Sequence, residues 1–146
     1  MDFVTVSQTF QCTVEELWNA LTQEEQLKEW YFPVQDFLPE VGHTFTFYES
    51  EKSKKYLHRC RFLNIIPYKL LEHTWEHPGH SKGTSLLKWE LLPLNDSKTL
   101  LTLTHTDLQN FADAGPDFSV ENYRMGWEAI LNTSLKKHLD KFTEVP

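Results

Sequence analysis

The sequence predicts a single α+β domain in which a curved, six-stranded antiparallel sheet wraps around a long C-terminal helix. Short stretches of alternating apolar and polar residues follow one another through the middle of the chain, and the short joins between them require antiparallel neighbours. Two capping-box motifs near the N-terminus predict two short helices after the first strand. A long apolar stripe with helical spacing predicts the C-terminal helix.

The length and composition of the chain fit one domain with a large core. A domain of 146 residues has the usual size of a single folding unit, and such a domain buries about 68–70% of its unfolded surface. Aromatic residues make up 14% of the sequence, so rings must fill or line much of the interior. The formal net charge of −7 repels phosphate backbones, and nucleic acid is therefore not expected as a partner.

The N-terminus and the cysteine content predict a cytoplasmic protein. The first ten residues, MDFVTVSQTF, contain an acid and no long apolar run, so neither a signal peptide nor a membrane span is expected. Cys12 and Cys60 are too few for a disulfide framework, and we expect reduced, structural thiols. A single bridge between these two cysteines is the alternative.

The N-terminal part of the chain is predicted to form one strand, two short helices and a loop. Residues 3–11 are rich in β-branched and aromatic residues, which is typical of a strand. Thr13 and Thr22 each stand three residues before a glutamate, so each fits the N-cap of a capping box. Prolines and a glycine predict a loop over residues 31–42.

Five further strands are predicted, and their side chains alternate between two faces. The predicted strands are 43–49, 55–66, 69–77, 84–93 and 98–106. The lysines between residues 52 and 55 are interpreted as a solvated turn. Alternation sustained over four strands means that one face is buried and the other solvated. The face predicted to be buried carries Tyr56, His58, Cys60, Phe62, Leu71, His73, Trp75, Leu87, Trp89, Leu91, Leu101, Leu103 and His105.

The C-terminal region carries the strongest helix pattern in the sequence. Apolar residues recur at spacings of three and four from Tyr123 to Phe142, which predicts a helix of more than twenty residues facing the sheet. Acids early and lysines late in this segment complement the helix dipole. The preceding stretch, residues 107–116, contains Gly115 and Pro116 and is predicted to be a loose connection.

Six segments of the chain resemble a known family, and the resemblance covers nearly the whole sequence. They are Val14–Trp30, Gly42–Phe47, Ile66-Pro67, Leu70–Trp75, Leu101–His105 and Gly126–Leu135. The element order is similar to that of the helix-grip fold. The chain resembles bacterial single-domain members of the START-like (SRPBCC) superfamily, in the branch related to the C-terminal domain of the heat-shock-protein-ninety ATPase activator.

The resemblance implies three kinds of function, because this superfamily includes lipid carriers, hormone receptors, cyclases, aromatases and chaperone regulators, and a fold does not determine a function. The first expectation is a non-catalytic module that binds a small hydrophobic or amphipathic ligand between the sheet and the C-terminal helix. The second is a regulator of a chaperone ATPase, or a protein-interaction module in the stress response. The third is an enzyme similar to the cyclases and aromatases.

Under this resemblance, a set of rings and histidines is expected to line a ligand pocket. A pocket of this kind is largely apolar with a few placed polar groups. The same rings could instead be packed as an ordinary core. The candidate ligand-binding residues are Trp30, Phe45, Phe47, Tyr56, His58, His73, Trp75, Trp89, Leu103, His105, Tyr123 and Trp127.

Three of these histidines raise the question of catalysis. His58, His73 and His105 share the predicted buried face, so they could orient a polar ligand or transfer protons. Each could also be a core histidine whose hydrogen bonds are satisfied by its neighbours. The same face offers no Asp or Glu to hold an imidazole in a fixed tautomer, as catalytic histidines usually require. The pattern therefore favours binding over catalysis, and no catalytic residue is assigned.

The segment HTWEHPGH brings three histidines together in sequence. The spacings between His73, His77 and His80 would suit metal ligands on a helix. However, Pro78-Gly79 predicts a turn, and the residues before it alternate as in a strand. His77 and His80 are therefore predicted to be solvated at the hairpin end, and neither a metal nor another cofactor is expected.

Overall fold

The computed structural model, which describes residues 2–48 and 56–141, contains one antiparallel sheet of six strands. The strands are β1 (Val4–Phe10), β2 (Thr44–Tyr48), β3 (Leu57–Ile66), β4 (Leu70–Glu76), β5 (Thr84–Asn95) and β6 (Lys98–Thr106). Their order in the sheet is β1-β6-β5-β4-β3-β2. The predicted meander from β2 to β6 is confirmed, and β1 pairs with the last strand. Glu49, Lys55 and the lysine-rich turn between them lie outside the described residues.

The helices occupy the two ends of the chain, as predicted. Two short helices follow β1, and a continuous helical segment closes the described chain after β6. These are α1 (Val14–Thr22), α2 (Glu24–Trp30), α3 (Val120–Ala129), a π-helical segment (Ile130–Leu135) and α4 (Lys136–Asp140). Within residues 2–48 and 56–141, the helices are too short or too polar to form a membrane-spanning segment. The α+β helix-grip architecture is confirmed, while Phe142 of the predicted stripe lies outside the described residues.

The two predicted capping boxes have different outcomes. At α1 the box is present: the Glu16 backbone N–H donates to Thr13 Oγ1 over 3.0 Å, and the Thr13 N–H donates to Glu16 Oε1 over 2.9 Å. The prediction of a second capping box at Thr22 is wrong, because Thr22 is still part of α1 and its hydroxyl donates to the Trp18 carbonyl. A threonine inside a helix commonly bonds the carbonyl four residues back. Gln23 separates α1 from α2 through its extended backbone, and its side chain forms no cap.

The two faces of the sheet are separated as the alternation predicts. Cys60, Leu103 and His105 are fully buried on the inner face, whereas Arg59 and Arg61 are exposed on the outer face. Both cysteines are buried as free thiols, so the alternative of a disulfide does not hold. Burial raises the pKa of the Cys12 thiol to about 12 and that of the Cys60 thiol well above its ordinary value. Neither sulfur is therefore an activated nucleophile.

The connection after β6 is more ordered than predicted. Residues 107–116 were expected to be loose, yet two 3₁₀ helices, Leu108–Ala114 and Pro116–Phe118, occupy this region. The prediction was wrong because Leu108 and Phe111 bury their side chains and anchor the segment over the end of the sheet. The segment also meets the β4–β5 loop, where the Lys82 backbone N–H donates to Asp113 Oδ2 over 3.0 Å.

The close approach of these two segments predicts a large effect for Gly83→Ala. A Cβ atom on Gly83 would lie 2.0 Å from the Asn110 carbonyl oxygen, so one of the two backbones would have to move. We expect the substitution to lower the free energy of unfolding by about 2–3 kcal/mol, the upper range for overpacking. Urea unfolding at neutral pH measures this loss.

Gly126→Ala is the matched control for Gly83→Ala. A Cβ on Gly126 meets no atom within 4 Å, and the residue lies inside α3. Because alanine is the better helix former, this variant should be up to about 1 kcal/mol more stable than the wild type. Equal stability of the two variants would contradict the close contact between the β4–β5 loop and the 3₁₀ helix.

Candidate ligand-binding cavity

A cavity of about 420 Å³ lies between the inner face of the sheet and the C-terminal helix. Asn122 and Gly126 are exposed lining residues, so the cavity opens to solvent beside α3. Protein interiors are otherwise packed with few voids larger than a water molecule, and this space is therefore a distinct feature of the fold. The described residues that line it are Phe32, Tyr56, His58, Trp75, His77, Phe118, Asn122, Tyr123, Gly126, Trp127 and Ile130.

Three parts of the chain supply most of these side chains, and Phe32 and Phe118 complete the set from a loop and a 3₁₀ helix. The segment that leads into β3 and its first residues provide one wall, and the end of β4 continues it. On the helix, Tyr123, Trp127 and Ile130 are spaced by four and three residues and therefore share one face. Ile130 is also the first residue of the π-helical segment. Single π turns are rare and often occur at functional sites, and here the irregularity begins where the helix leaves the cavity.

Three buried tryptophans each donate an indole N–H to a histidine. Trp75 donates to His77 Nε2 over 3.3 Å, Trp89 donates to His73 Nε2 over 3.2 Å, and Trp127 donates to His105 Nδ1 over 3.1 Å. An indole N–H can only donate, so each of these imidazole nitrogens is the unprotonated acceptor. The three imidazoles are therefore neutral, and the three indoles have their hydrogen bonds satisfied inside the core.

The remaining nitrogens of His73 and His105 are also bonded. His73 Nδ1 donates to the Thr74 carbonyl over 2.9 Å, and His105 Nε2 donates to Ser85 Oγ over 2.6 Å. The Ser85 hydroxyl in turn donates to the Trp75 carbonyl. Each of the two rings is thus held in a single tautomer by neutral groups. Burial lowers the pKa of His73 to about 4 and that of His105 well below 6.5.

The prediction that His77 is solvated is wrong, because the side chain is only 2% exposed. The alternation of β4 continues past its last residue, so His77 lies on the same face as His73 and Trp75. The 3₁₀ segment then brings Phe118 onto the ring, with centroids 4.4 Å apart. His80, in contrast, is exposed.

His77 forms the polar part of the cavity wall together with a tyrosine. Its Nε2 atom is hydrogen bonded to the Tyr123 hydroxyl. Its buried Nδ1 atom has no hydrogen-bond partner in the described part of the chain. Burial, followed by the neighbouring His58 and His80, lowers the pKa of His77 to about 3. Burial likewise lowers the pKa of His58 to about 4, although the Tyr56 and Phe47 carbonyls oppose that shift.

Five of the candidate residues from the sequence line the cavity, namely Tyr56, His58, Trp75, Tyr123 and Trp127. Four others line a separate void of about 30 Å³, which is about the size of one water molecule. These four are Trp30, Phe45, His73 and Trp89. The remaining three, Phe47, Leu103 and His105, are buried in the core and line neither space.

Six lining residues were missed at the sequence level. Asn122, Gly126 and Ile130 follow the spacing of the helix stripe and could have been found by extending that stripe to its polar edge. The strand alternation extended by one step would have found His77. Phe32 lies next to a proline in a loop, and Phe118 lies in a 3₁₀ helix, so neither has a periodic signal.

The described residues offer no metal centre. Within residues 2–48 and 56–141, no group of three or more His, Cys, Asp or Glu side chains could hold a metal ion. Carboxylates and cationic side chains are also absent from the described lining of the cavity. The wall can therefore pack against apolar surface and exchange hydrogen bonds with neutral groups.

Comparison with known proteins identifies the family. The family model for activator of Hsp90 ATPase homolog 1-like proteins matches residues 11–140. The chain belongs to this family. The segment matched by the activator-like model includes every described lining residue of the cavity. No match was found among curated proteins.

Solved structures show the same fold as this activator-like protein. A protein of Mesorhizobium loti is 28% identical, with a TM-score of 0.80 over 98% of this chain and 99% of that one. DynU16, from the dynemicin biosynthetic locus, is 18% identical, with a TM-score of 0.77 over 96% of this chain and 48% of that one. An HSP90 activator from Plasmodium falciparum is 20% identical, with a TM-score of 0.69 over 90% of this chain and 97% of that one.

Proposed function

We propose that the protein is a non-catalytic binding module that holds one small hydrophobic or amphipathic molecule between the sheet and α3. The observation that carries the proposal is the cavity of about 420 Å³ lined mainly by aromatic rings. Ligand sites usually measure about 300–1,000 Å³, with apolar walls and a few polar groups, and this cavity matches that description.

The positions of the histidines support binding rather than catalysis. His73 and His105, two of the three candidates for acid–base chemistry, do not line the cavity, and both ring nitrogens of each are already bonded to core groups. His58 does line it, but its ring is stacked on Phe47 at 4.5 Å and its pKa of about 4 lies well below neutral pH. A general base works best with a pKa near the working pH.

Binding can be tested with N-phenyl-1-naphthylamine, an uncharged fluorescent probe of drug-like size. We expect saturable binding at one site, with quenching of protein fluorescence because Trp75 and Trp127 line the cavity. Gly126→Phe places a ring at the mouth and should weaken binding at least about tenfold, since a filled pocket loses its apolar contact area.

Ala129→Phe is the matched control for the probe titration. Ala129 is an exposed residue of the same helix that does not line the cavity, so this variant should bind as the wild type does. Equal loss in both variants would contradict the location of the site. A wild-type protein that binds no member of a broad hydrophobic panel would rule out the binding module.

The family match supports a second candidate, regulation of a chaperone ATPase. The Plasmodium falciparum structure described as an HSP90 activator has the same fold, which is compatible with this role. Its test is the steady-state ATPase rate of a purified Hsp90 with and without the protein. Stimulation that persists in Gly126→Phe would assign the activity to a surface other than the cavity.

A further inference from the structure

We propose that the cavity selects uncharged ligands over anions: it takes ring-containing molecules whose polar groups are hydroxyls or carbonyls, and it rejects carboxylates and phosphates. This inference rests on the proposed binding function and deepens it. Its basis is the chemistry of the wall, in which the described residues provide aromatic faces and neutral hydrogen-bonding groups only.

An anionic ligand would lose its water shell without gaining a counterion from the described lining. No Asp, Glu, Lys or Arg lies among the described lining residues. Moving an isolated charge out of water into an apolar site is costly, and only a partner of opposite charge together with hydrogen bonds offsets that cost. A neutral hydroxyl or carbonyl loses far less and can be satisfied by one neutral partner.

Two arginines of the described residues that lie close in sequence to the cavity wall are paired elsewhere. Arg59 precedes Cys60 on β3, but it lies on the outer face, where it pairs with Glu76 at 3.0 Å. Arg124 follows Tyr123 on α3 and is paired with Glu121 at 3.6 Å. Strand alternation and helix periodicity thus direct both guanidinium groups away from the cavity wall.

The two histidines of the lining, His58 and His77, do not supply the positive charge that an anionic ligand would need. His77 accepts a hydrogen bond from the Trp75 indole, which requires an unprotonated Nε2 atom. His58 is enclosed by aromatic rings, with Phe47 stacked at 4.5 Å and Trp75 edge-on at 4.9 Å. A proton added to either ring would bury a charge that no carboxylate of the described lining neutralises, and the Tyr56 and Phe47 carbonyls at His58 offset this cost only in part.

The wall retains neutral polar groups that can recognise a ligand. The Tyr123 hydroxyl, the Asn122 amide and the His77 ring all belong to the described lining. The Tyr123 hydroxyl donates its proton to the unprotonated His77 Nε2, so it can only accept from a ligand. The Asn122 amide offers an acceptor oxygen and the N–H that does not donate to the Pro116 carbonyl. These groups suit a ligand hydroxyl or carbonyl, while the rings of Phe32 and Phe118 suit its apolar body.

Two naphthalene derivatives with one skeleton and different charges test the inference at pH 7.5. They are 2-naphthalenemethanol, which is neutral, and 2-naphthoate, which is an anion. We expect the alcohol to bind at least 30-fold more tightly than the anion. Equal affinities, or tighter binding of the anion, would overturn the charge selection while leaving the binding function intact. Failure of both to bind, together with failure of N-phenyl-1-naphthylamine, would remove the binding function itself.

A variant with an added charge tests the cause of the selection. Asn122 is exposed at the mouth and lines the cavity, so Asn122→Arg supplies the missing cation without burying it fully. We expect the affinity for 2-naphthoate to rise at least tenfold relative to the alcohol. Ala129→Arg adds the same charge to the same helix away from the cavity and should leave the ratio unchanged. The same rise in both variants, or in neither, would overturn the proposed cause.

Discussion

Lowering the pH from 7 to 4 is expected to unfold the protein. Burial depresses the pKa values of His58, His73, His77 and His105 below their ordinary value of 6.5, to about 4, 4 and 3 for the first three and well below 6.5 for His105. In the unfolded chain these imidazoles return to about 6.5. Below pH 6.5 the unfolded chain therefore binds protons that the folded protein does not. The stability is complete above pH 6.5 and falls as the pH decreases toward 4.

The loss of unfolding free energy expected on acidification is larger than the loss that an ordinary single substitution causes. Uptake of nearly four protons on unfolding changes the free energy of unfolding by about 5 kcal/mol per pH unit between pH 5 and 6. Domains are stable by only about 5–15 kcal/mol, so the loss is enough to unfold the chain. Urea unfolding curves at several pH values between 5 and 7 provide the slope.

Two variants test whether a buried imidazole causes this slope. His105→Gln should reduce the uptake by about one proton, because it removes one buried imidazole. Met125→Ala removes no ionisable group and should leave the slope unchanged. If the slope of the wild type corresponded to uptake of less than one proton on unfolding, the neutral, buried state of the four rings would be contradicted.

Trp127→Ala is expected to lower the free energy of unfolding by about 3–5 kcal/mol, the usual cost of truncating a large core ring. The side chain is 3% exposed and packs between Trp75 and Trp89, with ring centroids 5.2 and 5.7 Å away. The truncation also leaves His105 Nδ1 without its donor, which adds a penalty for a stranded polar atom. Urea unfolding at pH 7.5 measures the loss.

Met125→Ala provides the comparison on the same helix. Met125 is 57% exposed, so its truncation should change the stability by less than about 0.5 kcal/mol. If Trp127→Ala also cost less than about 1 kcal/mol, the ring would not be part of the core and the assigned register of α3 would be wrong.

Sequence periodicity predicted which face of each strand is buried, but not which buried residues meet the cavity. Trp75 and Trp89 both follow the alternation, and both are buried, yet only Trp75 lines the cavity. Their difference depends on where α3 crosses the sheet. That crossing is set by tertiary packing over a long sequence separation, and no local pattern contains it.

Local chemistry explains the other errors. The motif at Thr22 satisfies the capping-box pattern, but Thr22 completes the last turn of α1, and a single extended residue suffices to begin α2. The proline and glycine after His77 predict that its ring is solvated, whereas Phe111 and Phe118 cover the ring from a distant segment. In both cases a contact with a residue outside the local motif determined the structure. For Thr22 this is the Trp18 carbonyl, and for His77 it is the pair of rings from Phe111 and Phe118.

The π-helical segment explains an unusual rhythm in the C-terminal sequence. Four buried residues of this segment follow one another at uniform intervals of four, namely Trp127, Leu131, Leu135 and Leu139. In a regular α-helix with about 100° per residue, twelve residues would rotate Leu139 about 120° away from Trp127. The wider π turn between Ile130 and Leu135 turns less per residue and cancels part of this drift. The π-helical segment therefore brings Leu139 back toward the side of the helix that carries Trp127, a lining residue of the cavity.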